Sequence, residues 1–259
     1  MNYYYKGLPN FLHQDIPDIQ HPNILLKRVF PNDDKDKKKI FEEVKKIDLK
    51  DSINELNNKL NNIMDNLSKS GYNIIQINTE TLTNLIVGFG SSSTLETSIC
   101  LDGVLGIPFI PGSSLKGCHR DYVTNYKNDF FDNNEFKLVF GSSKNNNNDN
   151  EDDDNISGNV TYLNAYPYDI DKPFDIDVMT VHFEKYYKGK KNWVQSQYDN
   201  PLPINFLCIK KGVKFKFNLI ISSKINNLQQ KIENSFKEML QSHGVGAKTN
   251  VNYGYFKIL

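Results

Sequence analysis

The 259-residue sequence predicts an α+β fold, in which an antiparallel sheet carries helices on one face. Polar and apolar residues alternate with a period of two in 214–221, which is typical of a half-buried strand. Apolar residues recur every three or four positions in 225–240, which is typical of an amphipathic helix. Strand and helix patterns of this kind follow one another along the chain without a fixed short repeat, so a repeat architecture is not predicted.

The first 70 residues are predicted to form an N-terminal arm and a helical extension. Residues 1–31 contain aromatic residues and four prolines without periodicity, which indicates an irregular arm. Residues 33–70 have apolar side chains at helical spacing, with a capping-box pattern at Ser52 and Glu55 and a stop at Gly71. This segment therefore predicts one helix or two.

Residues 71–259 are assigned to one domain that a polar loop interrupts. Strands are predicted at 72–77, 85–90, 160–163, 204–209, 214–221 and 253–258, and helices at 112–126 and 225–240. Strands 204–209 and 214–221 are expected to pair, with the lysine side of the second strand facing water. Ser113 or Ser114 is expected to cap the first of the two helices. The loop at 142–158 is a low-complexity segment too polar to bury.

Composition and charge exclude several classes of protein. Thirty-one basic and thirty-one acidic residues cancel, which excludes a strongly basic tail or a strongly acidic disordered chain as a description of the whole. Three widely spaced cysteines argue against a disulfide framework or a structural zinc site. No apolar run approaches the roughly 18 residues of a membrane span, and the N-terminus lacks a signal-peptide pattern. The sequence therefore predicts a cytoplasmic protein without metal, cofactor or membrane partner.

Residues 112–117, Gly-Ser-Ser-Leu-Lys-Gly, are the first candidate binding loop. Gly112, Ser113 and Ser114 open a helix, where backbone N–H groups lack intrahelical acceptors and can hold a phosphate together with the Lys116 ammonium. An ordinary helix cap explains the same residues. The spacing of a Walker A loop is absent, so nucleotide hydrolysis is not supported.

Residues 244–249, Gly-Val-Gly-Ala-Lys-Thr, are the second candidate loop. Gly244 and Gly246 would let a backbone approach phosphates closely, with Lys248 as the counter-charge, whereas a simple turn between the last helix and the last strand is the structural alternative. Residues 160–259 contain fourteen lysines against eight acidic residues. Two lysine-bearing glycine loops in one chain thus predict a basic groove that follows a nucleic-acid backbone.

Asp175, Asp177 and His182 are a third candidate cluster. Carboxylates near a histidine can bind a metal or perform acid and base catalysis on RNA. Structural roles for turn aspartates and for a histidine at a strand end are commoner. The sequence contains neither an HxxxH nor a GxSxG motif, so we expect no catalytic residues.

These motifs together resemble the RAMP superfamily of CRISPR proteins. Residues 110–117 with Arg120 resemble the signature of the superfamily, and residues 244–254 resemble its C-terminal glycine-rich loop. Three further segments resemble the family of sixth subunits of the type III-B (Cmr) effector complex: 140–142, 158–167 and 177–187. The resemblance extends from about residue 85 to the C-terminus and leaves the first 70 residues unmatched.

The resemblance implies a ferredoxin-like, RRM-like core in residues 71–259, with a thumb inserted around 165–203. It implies a non-catalytic subunit that holds the 3′ part of the guide RNA (crRNA) and caps the backbone filament in antiviral defence, with target RNA and the other Cmr subunits as partners. Carried over by position, the residues near guide phosphates are Ser113, Ser114, Lys116, Arg120, Lys248 and Thr249. Because no RNP1-like pattern of exposed aromatics occurs, binding is expected to be independent of RNA sequence.

Two other functions are left open by these motifs. An RNA-cleaving or guide-processing RAMP subunit would place a catalytic group beside the RNA, and Asp177 with His182 is the cluster available for it. A protein-only scaffold would use both glycine loops as turns and would contact no RNA.

Overall fold

The computed structural model describes residues 4–5, 19–30, 34–91, 93, 95–142, 156–181 and 202–259. The strands within these ranges are β1 (Tyr4–Tyr5), β2 (Val29–Phe30), β3 (Asn73–Thr81), β4 (Gly141–Ser142), β5 (Ile156–Ser157), β6 (Val160–Tyr162), β7 (Tyr166–Tyr168), β8 (Phe174–Val181), β9 (Leu202–Ile209), β10 (Lys214–Ile221) and β11 (Phe256–Ile258). The helices are α1 (Pro22–Arg28), α2 (Asp34–Lys46), α3 (Lys50–Lys69), α4 (Gly112–Asn125), α5 (Asn133–Phe140) and α6 (Gln229–Ser242).

The central sheet has the strand order of a ferredoxin-like fold. Its strands lie in the order β11, β3, β10, and both β6 and β7 pair with the outer edge of β10. All of these pairings are antiparallel. Along the chain the elements follow as β3, α4, β6 with β7, β10, α6 and β11, which is the βαββαβ order of that fold. The predicted α+β class and ferredoxin-like core are confirmed.

The main core lies between one face of this sheet and helices α4 and α6. Burial alternates along β3, where Ile75 and Ile77 are buried and the intervening residues are more exposed. Phe217 of β10 packs edge-on against Phe236 of α6 and Phe256 of β11, with ring centroids 5.7 and 5.3 Å apart. Buried aromatic side chains of this size dominate the hydrophobic stabilisation of a core.

Helix α3 covers part of the opposite face of the sheet. The Lys216 Nζ donates to Asn61 Oδ1 of α3 at 3.0 Å, and the Asn57 side chain of α3 donates to the carbonyl of Pro167 at 2.9 Å. Asn218, next but one to Lys216 on the same face, is buried and accepts from Gln76. The prediction that this side of 214–221 faces water is therefore wrong at Asn218, whereas Lys214 and Lys216 stay partly exposed.

A long hairpin of β8 and β9 stands apart from the central sheet. Its register runs from Phe174 opposite Ile209 to Val181 opposite Leu202. The predicted pairing of 204–209 with 214–221 is wrong, because the turn at Gly212 (φ +84°) directs β10 into the central sheet. The predicted strand at 85–90 reduces to a single bridge between Leu85 and Ile209. The hairpin leads into residues 182–201, so most of the predicted thumb lies outside the described residues.

The segment 33–70 forms two helices, α2 and α3, and the division of the chain near residue 70 stays a prediction. Helix α5 was not predicted, although Asp132 and Glu135 form a capping box at its start. In the described part of the chain, no helix is long and apolar enough to span a membrane. Residues 143–155 of the predicted polar loop lie outside the described ranges.

Candidate functional site

The start of α4 is held against the sheet by Gly112. Pro111, with extended backbone angles, is the N-cap residue, so the expected cap at Ser113 or Ser114 is wrong. The Gly112 N–H donates to Asn164 Oδ1 at 2.9 Å, and a Cβ at position 112 would overlap the carbonyl oxygen of Tyr162. Only glycine allows this close approach of helix and strand, and its N–H is already used. Gly112 therefore fixes the position of the start of α4 against the sheet.

Ser113 and Ser114 occupy the second and third positions of α4 and are exposed. The first intrahelical bond of this turn is from the Leu115 N–H to the Pro111 carbonyl, at 3.1 Å. Within the described ranges, no group accepts from the N–H of Ser113 or Ser114. Two free N–H groups, two hydroxyls and the positive end of the helix dipole favour an anion at this point.

The loop 244–254 is fixed by contacts between backbones. The Ala247 N–H donates to the Ile86 carbonyl at 2.8 Å, and the Val245 N–H donates to the Gly254 carbonyl at 2.9 Å. Gly246 has φ +100° and lies so close to the Ile86 carbonyl that a Cβ would overlap it. Gly244, with φ +75°, packs against the backbone of Gly254. Both glycines therefore fold the loop, and their packing does not depend on a ligand.

The two predicted loops meet at one cleft, which we call the glycine cleft. It has a volume of about 580 Å³ and opens on one side to solvent. Its walls come from the chain after β3, the first turns of α4 and the loop after α6. The lining residues are Val87, Gly88, Phe89, Gly90, Ser91, Ile110, Ser114, Gly117, Cys118, Val245, Gly246 and Ala247. The structure thus brings Ser114 and Gly246 together, as two loops of one basic groove require.

Three cations on the two loops have no carboxylate partner in the described ranges, and Lys248 is the one that contacts a lining residue of the glycine cleft. Lys248, in a left-handed conformation (φ +62°), places its Nζ 5.3 Å from the centre of the Phe89 ring. Arg120 places its guanidinium 5.7 Å from the centre of the Phe136 ring on α5. Lys116 lies one turn before Arg120 on the same side of α4. Such cations keep their full attraction for an incoming phosphate, since no internal carboxylate competes for them.

Thr249 contributes less directly than the sequence predicts. Its backbone carbonyl accepts from the Tyr255 hydroxyl at 3.3 Å, and its Cγ2 methyl lies beside Gly244. The side chain is half-buried and helps to pack the loop. A contact between Thr249 and RNA stays a prediction.

The acidic residues of the third predicted cluster have structural partners. Asp177 Oδ2 accepts from the Tyr253 hydroxyl at 2.8 Å and from Asn84 Nδ2 at 3.3 Å. Burial, together with the hydrogen bond to Asp177, raises the pKa of Tyr253 to about 12. Asp175 pairs with Lys45 of α2 at 2.6 Å, and this hydrogen bond lowers the pKa of Asp175.

His182 lies outside the described residues, so the geometry of that cluster is incomplete. Among the residues that the structure describes, no group of three or more His, Cys, Asp or Glu side chains is arranged to hold a metal ion. Asp175 and Asp177 fasten the β8–β9 hairpin to α2 and to the loop that forms the cleft. Both carboxylates therefore have structural contacts near the base of the hairpin.

His119 of α4 is a buried residue that none of the sequence motifs indicates. Its Nδ1 lies 2.7 Å from the Tyr162 hydroxyl, and its Nε2 lies 2.8 Å from Ser235 Oγ. Complete burial lowers the pKa of His119 to about 3, so the ring is neutral at pH 7. It joins α4 to β6 and α6, on the side of α4 away from the cleft.

Sequence reasoning also missed Phe89 and its neighbours, which form a whole wall of the cleft. Phe89 packs edge-on against Phe206 of β9 at 5.3 Å while Lys248 lies over its ring. The available signal was the pair of glycines, Gly88 and Gly90, that flank an aromatic residue after an apolar run. Because 85–90 is predicted as a strand, these glycines do not indicate a loop at the sequence level.

Comparison with known proteins identifies the family of the chain. The model of the RAMP superfamily matches residues 78–257. A CRISPR system Cmr subunit Cmr6 from Pyrococcus furiosus is 30% identical over 223 residues, which cover 68% of this chain and 65% of that protein, just under two thirds of its length. The Cmr6 subunit of Saccharolobus solfataricus is 27% identical over 93% of this chain and 80% of that protein.

A solved structure shows the same fold. The chain superimposes with a TM-score of 0.66 on a chain from the cryo-EM structure of the type III-B Cmr-beta complex bound to cognate target RNA, at 24% identity, covering 89% of this chain and 77% of that one. The family match includes the chain after β3, α4 and the loop at 244–254, which form the walls of the glycine cleft. The chain belongs to the RAMP superfamily and is similar to the Cmr6 subunits of CRISPR systems.

Proposed function

We propose that this chain is a non-catalytic RNA-binding subunit of a type III-B CRISPR (Cmr) effector complex, in which it holds the 3′ part of the guide RNA and caps the backbone filament in antiviral defence. The observation that carries the proposal is the glycine cleft, where Ser114 at the start of α4 and Gly246 of the second loop line one opening and Lys248 lies over Phe89 of its wall. The names of the similar Cmr6 proteins support the assignment to that complex.

The cleft would bind RNA through its sugar-phosphate backbone. The N–H groups and hydroxyls of Ser113 and Ser114 suit one phosphate, and the ammonium groups of Lys116 and Lys248 suit neighbouring phosphates. Contacts of this kind fix the position of a strand but do not read its bases. A guide-dependent complex needs this property, since sequence is read by base pairing with the target RNA.

Binding to single-stranded RNA by the purified chain tests the proposal. We expect weak binding with little sequence preference and an affinity that falls steeply with salt, because phosphate contacts release counterions. Fluorescence anisotropy with labelled oligonucleotides at several salt concentrations measures it. A tight preference for one sequence that salt does not change would contradict the proposal.

The capping role is tested by assembly. A repeating backbone subunit needs two complementary faces, whereas a terminal subunit needs one. When the chain is mixed with guide RNA and the other Cmr subunits, native mass spectrometry is expected to find one copy per particle. Several copies per particle, or filaments of this chain with RNA alone, would favour a backbone role.

The partners of Asp175 and Asp177 favour the non-catalytic assignment over an RNA-cleaving or guide-processing subunit, since both carboxylates are engaged inside the protein. Purified chain is expected to leave labelled RNA intact in the presence of Mg²⁺ or Mn²⁺. Cleavage that disappears in a His182→Ala variant would establish the enzymatic alternative.

The packing of Gly244 and Gly246 is the observation that favours the protein-only scaffold, because both glycines have a structural reason to be glycine. Photo-crosslinking to RNA separates the two functions. Adducts on peptides from both 110–120 and 244–252 are expected for an RNA-binding cleft. If neither peptide forms crosslinks, the protein-only scaffold is the function that remains.

A further inference from the structure

A small apolar cluster lies outside the main core, where the β8–β9 hairpin meets the glycine cleft. We call it the hairpin cluster, and its described members are Ile86, Phe89, Met179, Phe206, Cys208, Ala247 and Tyr253. Phe89 and Ala247 also line the glycine cleft. Along β9, Phe206 and Cys208 belong to this cluster, whereas Leu207 and Ile209 belong to the main core. The hairpin cluster therefore joins the hairpin to two walls of the cleft.

Phe206 is the aromatic side chain that contacts both of these walls. It is 1% exposed. Its ring packs edge-on against Phe89, which follows β3, with ring centroids 5.3 Å apart. It also packs against Tyr253 of the second loop, with ring centroids 6.3 Å apart. Because a protein interior is close-packed, a change in one ring displaces its neighbours. Phe206 therefore sets the place of the Phe89 ring relative to the second loop.

Lys248 is the cation whose place depends on the Phe89 ring. Its Nζ lies over that ring, 5.3 Å from the ring centre. A lysine side chain has many rotamers, and restricting them before binding removes part of the entropy cost of ordering the side chain on a phosphate. The cation–π contact with Phe89 supplies this restriction. The ring that Phe206 holds in place is therefore the ring that holds the Lys248 ammonium.

Polar contacts fix the hairpin to the same two walls. The Tyr253 hydroxyl donates to Asp177 Oδ2 of β8 at 2.8 Å, and Asn84 Nδ2 donates to the same oxygen at 3.3 Å. The Asn84 carbonyl in turn accepts from the Gly254 N–H of the second loop at 2.9 Å. A displacement of the hairpin base therefore reaches the second loop through hydrogen bonds as well as through the aromatic rings.

We infer that Phe206 is a positioning residue for RNA binding: it holds the Phe89 ring in place, and through that ring the Lys248 ammonium at the glycine cleft. The inference rests on the proposed function and deepens it, because it gives the base of the β8–β9 hairpin a role in the affinity of the cleft. Phe206 is buried and does not line the cleft. Its effect on RNA binding therefore passes through Lys248.

A double-mutant cycle in the full chain tests this route, with binding to labelled single-stranded RNA measured by fluorescence anisotropy. We expect Phe206→Leu to weaken binding about threefold, uniformly across sequences, and to reduce the salt slope toward the value for Lys248→Ala. In a chain that already carries Phe206→Leu, adding Lys248→Ala should weaken binding less than about twofold, because both changes remove the same contact.

Phe174→Leu is the matched control. Phe174 lies in the same hairpin and is also 1% exposed, but it belongs to the main core. The variant removes the same atoms from a buried site, so it measures the effect of lost packing alone. Its RNA affinity should stay within about twofold of the unchanged chain, and Lys248→Ala should keep its full effect in this background.

A measurement without RNA separates this inference from the proposed function. Because the Lys248 side chain lies over an aromatic ring, the ring current should shift its methylene NMR signals away from the ordinary lysine position. In a chain with isotope-labelled lysines, these signals are identified by their absence from Lys248→Ala. They should move toward the ordinary position in Phe206→Leu and stay in place in Phe174→Leu.

Unmoved Lys248 signals in a folded Phe206→Leu chain overturn the inference. Additive losses in the double variant, or an equal loss of affinity in Phe174→Leu, overturn it as well. If the unchanged chain binds no RNA, the proposed function fails, and the Lys248 signals alone decide whether Phe206 positions the lysine. Circular dichroism checks the folding of each variant. If Phe206→Leu does not fold, Phe206→Met, which fills the site with a flexible side chain and no ring, takes its place with the same expected results.

Discussion

The two sides of α4 show how a single sequence motif is divided between structure and binding. On the side facing the sheet, Gly112 and His119 have every polar group engaged, through Asn164, Tyr162 and Ser235. On the solvent side, Ser113, Ser114 and Lys116 keep donors and charge without internal partners. Groups that the fold has not satisfied are those left for a ligand.

The largest expected effect is on the structural side of α4. Replacing Gly112 by Ala would force a Cβ into the carbonyl of Tyr162, and we expect the free energy of unfolding to fall by about 3 kcal/mol. Gly117→Ala is the matched control, since a Cβ there has no neighbour within 4 Å. It should stabilise the helix by roughly 0.5–1 kcal/mol. Urea unfolding measures both, and equal effects would show that the two sides of α4 do not differ.

The buried histidine predicts a dependence of stability on pH. The folded pKa of His119 is about 3 and the ordinary value is 6.5, so between these values the unfolded chain binds a proton that the folded chain does not. The free energy of unfolding should therefore fall as the pH drops below 6.5, by up to about 1.4 kcal/mol per pH unit.

Urea titrations between pH 7 and pH 5 measure this slope before most carboxylates titrate. His119→Gln should flatten it. Slopes that are the same in the wild-type chain and His119→Gln would contradict the buried neutral ring.

The solvent side predicts effects on binding without effects on folding. Lys116→Ala and Lys248→Ala should each weaken RNA binding about threefold to tenfold, uniformly across sequences, and reduce the salt slope by about 1. The unfolding free energy of Lys116→Ala should stay within about 0.5 kcal/mol of the wild type, whereas Lys248→Ala should also lose a cation–π contact with Phe89 worth about 0.5–1 kcal/mol. Anisotropy and urea unfolding on the same preparations test both statements. If a variant mainly unfolds, its lysine has a structural role and the binding role is contradicted.

The smallest expected effect is on RNA affinity in an Arg120 variant, and it tests where the binding side of α4 ends. Arg120 lies over Phe136 as well as facing solvent, so Arg120→Gln should lose part of a cation–π contact worth about 0.5–1 kcal/mol. Its RNA affinity should fall only about twofold, less than for Lys116→Ala. Anisotropy decides the order, and a larger loss for Arg120 would place its guanidinium on the RNA.

Much of this architecture is present in the sequence because its elements have strong periodic patterns. The strand 214–221, the helix 112–126 and the final helix were placed to within a few residues, and the two loops that meet at the glycine cleft were both identified. Their meeting could be expected from the resemblance, but not from spacing, because the loops are more than 120 residues apart in the chain.

The remaining features depend on tertiary contacts that no local pattern contains. The pairing of 204–209 is decided by β8 and by the turn at Gly212. The alternation in 214–221 predicts an exposed lysine side, because a local pattern does not show that α3 packs there. Phe89 becomes part of the glycine cleft only when distant segments surround it.

The pairing of β3 has a consequence for the order of folding. Both neighbours of this strand in the sheet, β10 and β11, lie at least 133 residues further along the chain. At a synthesis rate of roughly 5–20 residues per second, a nascent chain waits on the order of ten seconds for the first of them. During that interval the helices of the extension can form, but the apolar face of β3 has no strand beside it. We expect slow refolding in vitro and a need for protection of this strand during translation, since long-range strand pairing must bear the entropy of closing the chain first.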